Sequence, residues 1–236
     1  METMLDRLEE IEALDKGGML RTLTRFPESC RDAMVSAERI PLDALERKRF
    51  KAVVIAGVGG SAIGGQLLRD WLLDSCPLPI YVSRGYHLPR FVDEETLVFA
   101  VSYSGDTAET LSAYHEALER KSPLVALTSG GEMRRLSEEN GVPLLSLPKG
   151  LPPRAALPNQ FFLMATVLRR LDLAPRARGE FDEAIEVLEA LRGDLVPETP
   201  AAANPAKQLA MGLKSLVAFV YGPRLFEGRR IGSGRS

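Results

Sequence analysis

The chain has 236 residues, of which 45% are hydrophobic and 26% charged, a balance typical of a globular protein with a sizeable core. Its formal net charge is −2, and basic residues are interspersed with acidic ones, so no basic surface for nucleic acid is expected. No apolar run approaches the roughly 20 residues that span a bilayer, and the acidic start lacks the features of a signal peptide. We therefore expect a cytoplasmic protein that binds neither nucleic acid nor membrane.

The first fifty residues are predicted to be helical. Apolar residues at helical spacing indicate an amphipathic helix over residues 4–14, which the following glycine pair ends. A second short helix is expected over residues 27–37, and Pro41 opens a third that leads into the first strand. Residues 1–50 are therefore taken as an N-terminal helical segment.

From Lys51 onward, apolar strands alternate with helices. The five predicted strands cover residues 53–56, 79–83, 96–102, 123–129 and 143–148. Such alternation predicts an α/β fold with a parallel, doubly wound sheet and helices on both faces. Ligands of such sheets bind at the carboxyl ends of the strands, where the crossover direction switches. We expect one complete domain over residues 51–158.

The rest of the chain is predicted to be mainly helical. A proline-rich connection, KGLPPRAALPN, leaves the fifth strand, and helices at 159–171 and 179–191 form a helical connection over residues 159–205. A helix at 206–214 and a strand, SLVAFVYG, then echo the start of the sheet domain. We expect residues 206–236 to be the start of a second, cut-off copy of that domain, ending in a loose tail.

A glycine-rich turn follows the first strand in VVIAGVGGSAIGG, residues 53–65. Its glycines, Gly59 and Gly60 among them, permit a tight turn with positive φ and close approach of a ligand. Ser61 is predicted to cap the helix that follows. Because unpaired amides at a helix start attract anions, this turn predicts a phosphate site.

A second loop, SYSGDTAET, follows the third strand. Ser102, Ser104 and Thr107 supply hydroxyls that can donate hydrogen bonds, and Gly105 lets the turn close tightly. Thr107 or Ser104 is also expected to cap the next helix. Asp106 is expected to point to solvent or to favour the helix start through its dipole. The alternative is that the serines and threonine are only turn and cap residues.

A dinucleotide fold is a competing interpretation, because Gly57, Gly59 and Ala62 satisfy its glycine spacing. The acid expected to bind ribose at the end of the second strand is absent, although Arg84 there could hold a 2′-phosphate. The hydroxyl-rich second loop favours a single phosphate monoester over a pyrophosphate. An NADP-binding protein is therefore the least favoured of the functions considered for this chain.

GVGGSAIGG followed by SYSGDTAET resembles the sugar isomerase (SIS) domain, whose flavodoxin-like sheet binds phosphorylated sugars. RGYHLP and GLPPRAALP are similar to segments of the bifunctional phosphoglucose/phosphomannose isomerases, and the resemblance covers about residues 51–227. It implies interconversion of glucose 6-phosphate, and of mannose 6-phosphate, with fructose 6-phosphate through an enediolate. It also implies a homodimer of carbohydrate metabolism (glycolysis and gluconeogenesis) that needs no metal or other cofactor.

On this resemblance, the substrate-binding residues are Gly59, Gly60, Ser61, Ser102, Ser104, Gly105 and Thr107. Arg154, in the proline-rich connection, would be catalytic. It would stabilise the negative charge of the enediolate, a role suited to a side chain that stays protonated.

The sequence departs from the family's pattern beyond residue 206. Isomerases of this family have a second SIS domain that supplies a glutamate base, a histidine and a lysine, and none of those segments is present. Proton abstraction needs a positioned carboxylate, and Glu227 lies in the tail that is expected to be loose. The two leading hypotheses are therefore an isomerase and a sugar-phosphate-binding module that lacks the base because the C-terminal part is missing.

Overall fold

The computed structural model describes residues 3–219. Five parallel strands form one sheet in the order β2-β1-β3-β4-β5. They are β1 Ala52–Ala56, β2 Ile80–Ser83, β3 Thr96–Val101, β4 Leu124–Thr128 and β5 Leu144–Ser146. The chain passes from β1 to β2 on one side and then returns to place β3 on the other side of β1. The predicted doubly wound α/β sheet is confirmed.

Helices precede, connect and follow the strands. Within residues 3–219 they are α1 Leu8–Leu14, α2 Met19–Thr24, α3 Phe26–Glu38, α4 Asp43–Glu46, α5 Gly60–Trp71, α6 Ala108–Glu119, α7 Gly131–Glu139, α8 Leu157–Arg170, α9 Ala177–Leu195 and α10 Pro205–Gly212. Short 3₁₀ helices lie at Met4–Asp6 and Pro153–Ala156. No helix in this part of the chain combines the length and apolarity that crossing a bilayer requires.

The core lies on both faces of the sheet. Every residue of β1, β3 and β4 is buried, which explains why these strands consist almost entirely of apolar residues. On one face, Val53, Ile55 and Phe99 pack with α3, α8 and α9, and on the other, Val54 and Ala100 pack with α6 and α7. The N-terminal helices and the helices after the sheet therefore share a core with it.

The N-terminal helices differ from the prediction. The helix expected over residues 4–14 is interrupted at Arg7, where a 3₁₀ turn gives way to α1. Helix α2 was not predicted, because the glycine pair before it was interpreted only as a stop. Asp15 supplies the start signal: its carboxylate accepts hydrogen bonds from the amides of Met19 and Leu20, at 2.9 and 2.8 Å.

The strand predicted over residues 215–222 is wrong for the part that the structure describes. Residues 215–219 form a turn and irregular backbone after α10, and Leu216, Val217 and Phe219 are exposed. Apolar sequence alone does not make a strand, because the backbone amides need a neighbouring strand to pair with. The rest of that strand, Glu227 and the tail lie outside the described residues.

Helix α5 lies unusually close to β1 because its interior contains two glycines. A Cβ atom on Gly65 would lie 2.6 Å from Ile55 Cγ2, in the core strand beneath it. A Cβ atom on Gly64 would lie 2.8 Å from Gln160 Cβ of α8. The two glycines thus let α5 pack against the sheet and α8 at the same time.

The Gly65→Ala substitution is expected to destabilise the fold by about 1–3 kcal/mol, because Ile55 has no free space to yield into. Gly193→Ala, in α9, is the matched control: nothing lies within 4 Å of its Cβ position. That substitution should stabilise the protein by about 0.5–1 kcal/mol through helix propensity. Urea unfolding measures the change in the free energy of unfolding for both variants. A change of the same sign in both would contradict the close packing of α5 on β1.

Candidate functional site

The loops that follow β1 and β3 lie side by side at the carboxyl edge of the sheet. The two strands pair in register, with Ala56 opposite Ala100, so they end at the same level. A Cβ atom on Gly57 would lie 2.9 Å from the carbonyl oxygen of Val101, and the Tyr103 amide donates to Ser61 Oγ at 3.3 Å. This edge is also the point where the crossover direction switches. The two loops that the sequence singled out therefore lie at one edge of the sheet.

The first loop turns sharply into α5. Gly59 has φ +55°, which favours glycine, and a Cβ there would meet nothing within 4 Å, so the turn is open on its outer side. The predicted capping role of Ser61 is wrong, because the helix already begins at Gly60 and Gly59 occupies the cap position. Ser61 is buried in the first turn, where its hydroxyl accepts the Tyr103 amide instead. The amides of Ser61 and Ala62 donate to Val58 O and Gly59 O, at 3.1 and 3.2 Å, so the amides of this turn that can bind an anion are those of Gly59 and Gly60.

The hydroxyls of the second loop have different environments. Ser102 is fully buried; its Oγ accepts from the Gly105 amide at 3.1 Å and lies 2.8 Å from Thr107 Oγ1. Ser104 is exposed, and its Oγ accepts from the Asp106 amide at 3.2 Å. Thr107 stands at the cap position of α6 but makes no side-chain bond to the helix amides, so the predicted capping by its hydroxyl, or by that of Ser104, is wrong. Ser102 therefore stabilises the second loop from its buried side, whereas Ser104 and Thr107 reach the surface of the loop.

A third loop, Thr128 to Gly131 after β4, supports the second and was not singled out from the sequence. The amide and hydroxyl of Ser129 both donate to the carbonyl oxygen of Tyr103, at 3.0 and 2.7 Å. Gly105, with φ +85°, packs so closely that a Cβ there would lie 1.9 Å from Gly130 O. The signal available in the sequence was TSGG, which follows its strand with the same small, hydroxyl-bearing residues as the first two loops.

Asp106 lies at the start of α7, whereas the sequence suggested the start of α6, the helix that follows its own loop. Its Oδ1 accepts from the Glu132 amide of α7 at 2.8 Å. Gly131 makes room for it: a Cβ atom there would lie 2.8 Å from each carboxylate oxygen of Asp106. The positive end of the α7 dipole stabilises this negative charge, so the carboxylate has a partner within the fold.

Arg154 lies in the 3₁₀ helix Pro153–Ala156, which packs over the first loop. An ideal Cβ on Gly60 would lie 3.4 Å from Pro153 Cβ and 3.6 Å from the backbone nitrogen of Arg154. The structure therefore brings the Arg154 backbone to the glycine turn, across about ninety residues of sequence. The guanidinium is exposed and makes no hydrogen bond or ion pair with any residue between 3 and 219.

The segment after β2, RGYHLP, is held by hydrogen bonds to α5 and α6. The Arg84 guanidinium donates to Gln66 Oε1 of α5, and the Leu88 amide donates to Glu116 Oε2 of α6 at 2.6 Å. Burial opposes ionisation of Glu116, but hydrogen bonds from Leu88 and Arg120 outweigh it, and the pKa of Glu116 lies below its ordinary value.

Among residues 3–219, no three His, Cys, Asp or Glu side chains are grouped so that they could hold a metal ion.

Curated proteins of similar sequence include sugar-phosphate isomerases. A bifunctional phosphoglucose/phosphomannose isomerase of Caldicellulosiruptor bescii is 38% identical over 204 residues, which is 86% of this chain and 60% of that protein. The resemblance to this isomerase family is confirmed. The phosphoglucose/phosphomannose isomerase of Aquifex aeolicus is 38% identical over 141 residues, 59% of this chain and 42% of that protein.

A D-glucosamine-6-phosphate 4-epimerase of Sulfolobus acidocaldarius is 38% identical over 134 residues, 54% of this chain and 42% of that protein. The chain thus spans 60% or less of the length of the isomerases and the epimerase. No protein-family model matches it.

Solved structures share the fold. A hypothetical protein of Thermus thermophilus has a TM-score of 0.63 and 21% identity, over 89% of this chain and 51% of that chain. The C-terminal domain of a glucosamine-fructose-6-phosphate aminotransferase from Francisella tularensis has a TM-score of 0.58 and 18% identity, over 76% of this chain and 55% of that chain. The predicted SIS-type fold is confirmed.

The different environments of the two serines predict different effects of their removal. Ser102→Ala leaves the buried Gly105 amide without an acceptor and should destabilise the protein by about 1–3 kcal/mol. Ser104→Ala removes an exposed hydroxyl and should change stability by no more than about 0.5 kcal/mol. Urea unfolding of the two variants without ligand gives both values, and an equal loss would contradict the internal role of Ser102.

Proposed function

We propose that this chain binds the phosphate of a hexose 6-phosphate between the β1 and β3 loops and acts in the isomerisation of glucose 6-phosphate, and of mannose 6-phosphate, to fructose 6-phosphate. The observation that carries the proposal is the contact between the two loops at the switch point, with Arg154 beside them. The names of the related isomerases support the same substrate class.

The phosphate would lie against the second loop. Ser104 Oγ and Thr107 Oγ1 are the hydroxyls at its surface, and the first amides of α6 lack partners within the helix. A dianion there is stabilised by the helix dipole as well as by hydrogen bonds. Ser102 and Gly105 would act by holding the loop in shape, and Gly59, Gly60 and Ser61 would line the side that faces the sugar.

Arg154 would act on the sugar rather than on the phosphate. Isomerisation moves a proton between C1 and C2 of the sugar and develops negative charge on an oxygen of the enediolate. A guanidinium that stays protonated and has no partner among the described residues can stabilise that charge as it forms. Asp106 is unsuited to be the base that moves the proton, because it accepts the Glu132 amide at the start of α7.

A second candidate is a protein that binds the sugar phosphate without turning it over. The engagement of Asp106 favours it, because isomerisation requires a positioned base and this loop carboxylate has another partner. The 4-epimerase relative acts on a 6-phosphosugar by a different reaction, in keeping with a phosphate site that is shared more widely than one chemistry. Both candidates use the same loops.

We also propose that the protein works in the cytoplasm as a homodimer, in glycolysis and gluconeogenesis, with no nucleic-acid or membrane partner. Exposed apolar side chains on two neighbouring helices are the candidate dimer surface. Leu23 of α2 and Val187 and Leu191 of α9 are 54%, 52% and 49% exposed. Burying such side chains against a second copy of the chain would be favourable.

Ligand titration with thermal unfolding as the readout tests the proposed site. Glucose 6-phosphate should stabilise the chain, by about 2.7 kcal/mol at a hundred times its dissociation constant, whereas glucose should not. Thr107→Val should weaken the binding of glucose 6-phosphate, because it replaces a hydroxyl donor by a methyl group. Stabilisation by NADP but not by glucose 6-phosphate would contradict the proposal and favour the dinucleotide alternative.

An assay for fructose 6-phosphate separates the two candidates. If the chain is an isomerase, Arg154→Gln should lower kcat at least about a hundredfold, as the loss of one charge-stabilising group does elsewhere, while glucose 6-phosphate still binds. Binding without any product in the unsubstituted chain would contradict the isomerase and leave the binding protein.

A further inference from the structure

Tyr103 connects four segments at the carboxyl edge of the sheet. Its backbone amide donates to Ser61 in the first loop, and its carbonyl oxygen accepts from Ser129 in the third. Its side chain reaches a fourth segment: the phenolic Oη donates to Pro148 O and accepts from the Leu151 amide, both at 2.7 Å. One residue of the second loop therefore contacts the first loop, the third loop and the segment that leads to Arg154.

The phenolic hydroxyl bonds to both ends of a tight turn. Residues 148–151 form a tight turn in which Gly150 has φ +80°, the value that the third residue of a type II turn adopts. In such a turn the first carbonyl usually accepts from the fourth amide. Here Tyr103 Oη bonds to both of those groups, donating to Pro148 O and accepting from the Leu151 amide. Tyr103 therefore joins both ends of this turn to the second loop.

The turn leads directly to Arg154. Pro152 and Pro153, whose rings fix φ, follow Leu151, and the Ala155 amide closes the 3₁₀ helix by donating to Pro152 O at 2.8 Å. That helix rests on Gly60. Because this short connection has little freedom, the position of Leu151 sets where the backbone of Arg154 lies.

We propose that Tyr103 is a positioning residue, whose hydroxyl holds the turn at residues 148–151 so that Arg154 stands over the first loop. The proposal rests on the function proposed above, in which Arg154 stabilises the enediolate. Tyr103 itself touches no substrate. Its ring packs against the apolar core, and its backbone joins the loops that hold the phosphate, so phosphate and guanidinium are placed relative to the same residue.

Tyr103→Phe tests the proposal because it keeps the ring and removes only the hydroxyl. In the glucose 6-phosphate assay, kcat should fall about tenfold to a hundredfold, as misplacement of a reacting group by about 1 Å does. KM should stay within about twofold, because the hydroxyls of the phosphate loop are unchanged. Tyr81→Phe is the matched control, at a half-exposed tyrosine on β2, and should change neither constant.

A double variant separates positioning from a general loss of structure. If Tyr103 acts through Arg154, adding Tyr103→Phe to Arg154→Gln should lower kcat by no more than about twofold further, because the group to be positioned is already gone. A full additional loss in the double variant would overturn the proposal. So would an unchanged kcat in Tyr103→Phe alone.

Two measurements need no turnover, so they distinguish failure of this proposal from failure of the proposed function. Without ligand, hydrogen exchange of the Leu151 amide should be at least about tenfold faster in Tyr103→Phe than in the unsubstituted chain, because the phenolic oxygen that accepts from this amide is lost. Trypsin cleavage after Arg154 should also be faster. If the unsubstituted chain forms no fructose 6-phosphate, the isomerase function fails, and these two rates decide the positioning role: faster supports it, and unchanged overturns it.

Discussion

The structure depends on the parallel pairing of β1 with β3 at the point where the sheet changes its winding direction. The register places the ends of the two strands at the same level, and Gly57 has no side chain to keep the loops apart. No crossover connection joins β1 directly to β3, so the space above their carboxyl ends stays open. Two helix starts then face the same opening, and a ligand of negative charge is favoured there.

Hydrogen bonds within the protein hold this edge in shape without a ligand. Ser102 holds Gly105 from inside, Ser129 holds the carbonyl of Tyr103, and Asp106 joins the second loop to α7. These bonds order the loop during folding, so binding does not have to order it again. The Ser104 and Thr107 hydroxyls are supported by groups that never reach the ligand, an arrangement that precise sites require.

The sequence predicted the elements that have a strong local signal. The buried strands of AVVIA and TLVFAV, the order of helices and strands, and the two hydroxyl- and glycine-rich loops follow from composition and periodicity. Where a side chain points was not predictable in this way. Ser61 and Ser102 have the residue type of a helix cap or a phosphate ligand, yet their partners are amides of other residues in the fold.

Other features needed information from distant parts of the chain. The strand expected over residues 215–222 had the right composition, but its described part has no paired neighbour. The place of Arg154 came from a family resemblance, because nothing in the local sequence shows that a proline-rich segment packs on Gly60. The contact of Tyr103 with Leu151, 48 residues along the chain, likewise exists only in the folded protein.

A crystal structure of the protein with glucose 6-phosphate tests the account most directly. The account predicts the phosphorus atom between the first two loops, with phosphate oxygens within hydrogen-bond distance of Ser104 Oγ, Thr107 Oγ1 and the first amides of α6, and the sugar beneath Arg154. A sugar phosphate bound elsewhere, for example in the cavity of about 560 Å³ beside Trp71 and Phe161, would contradict it.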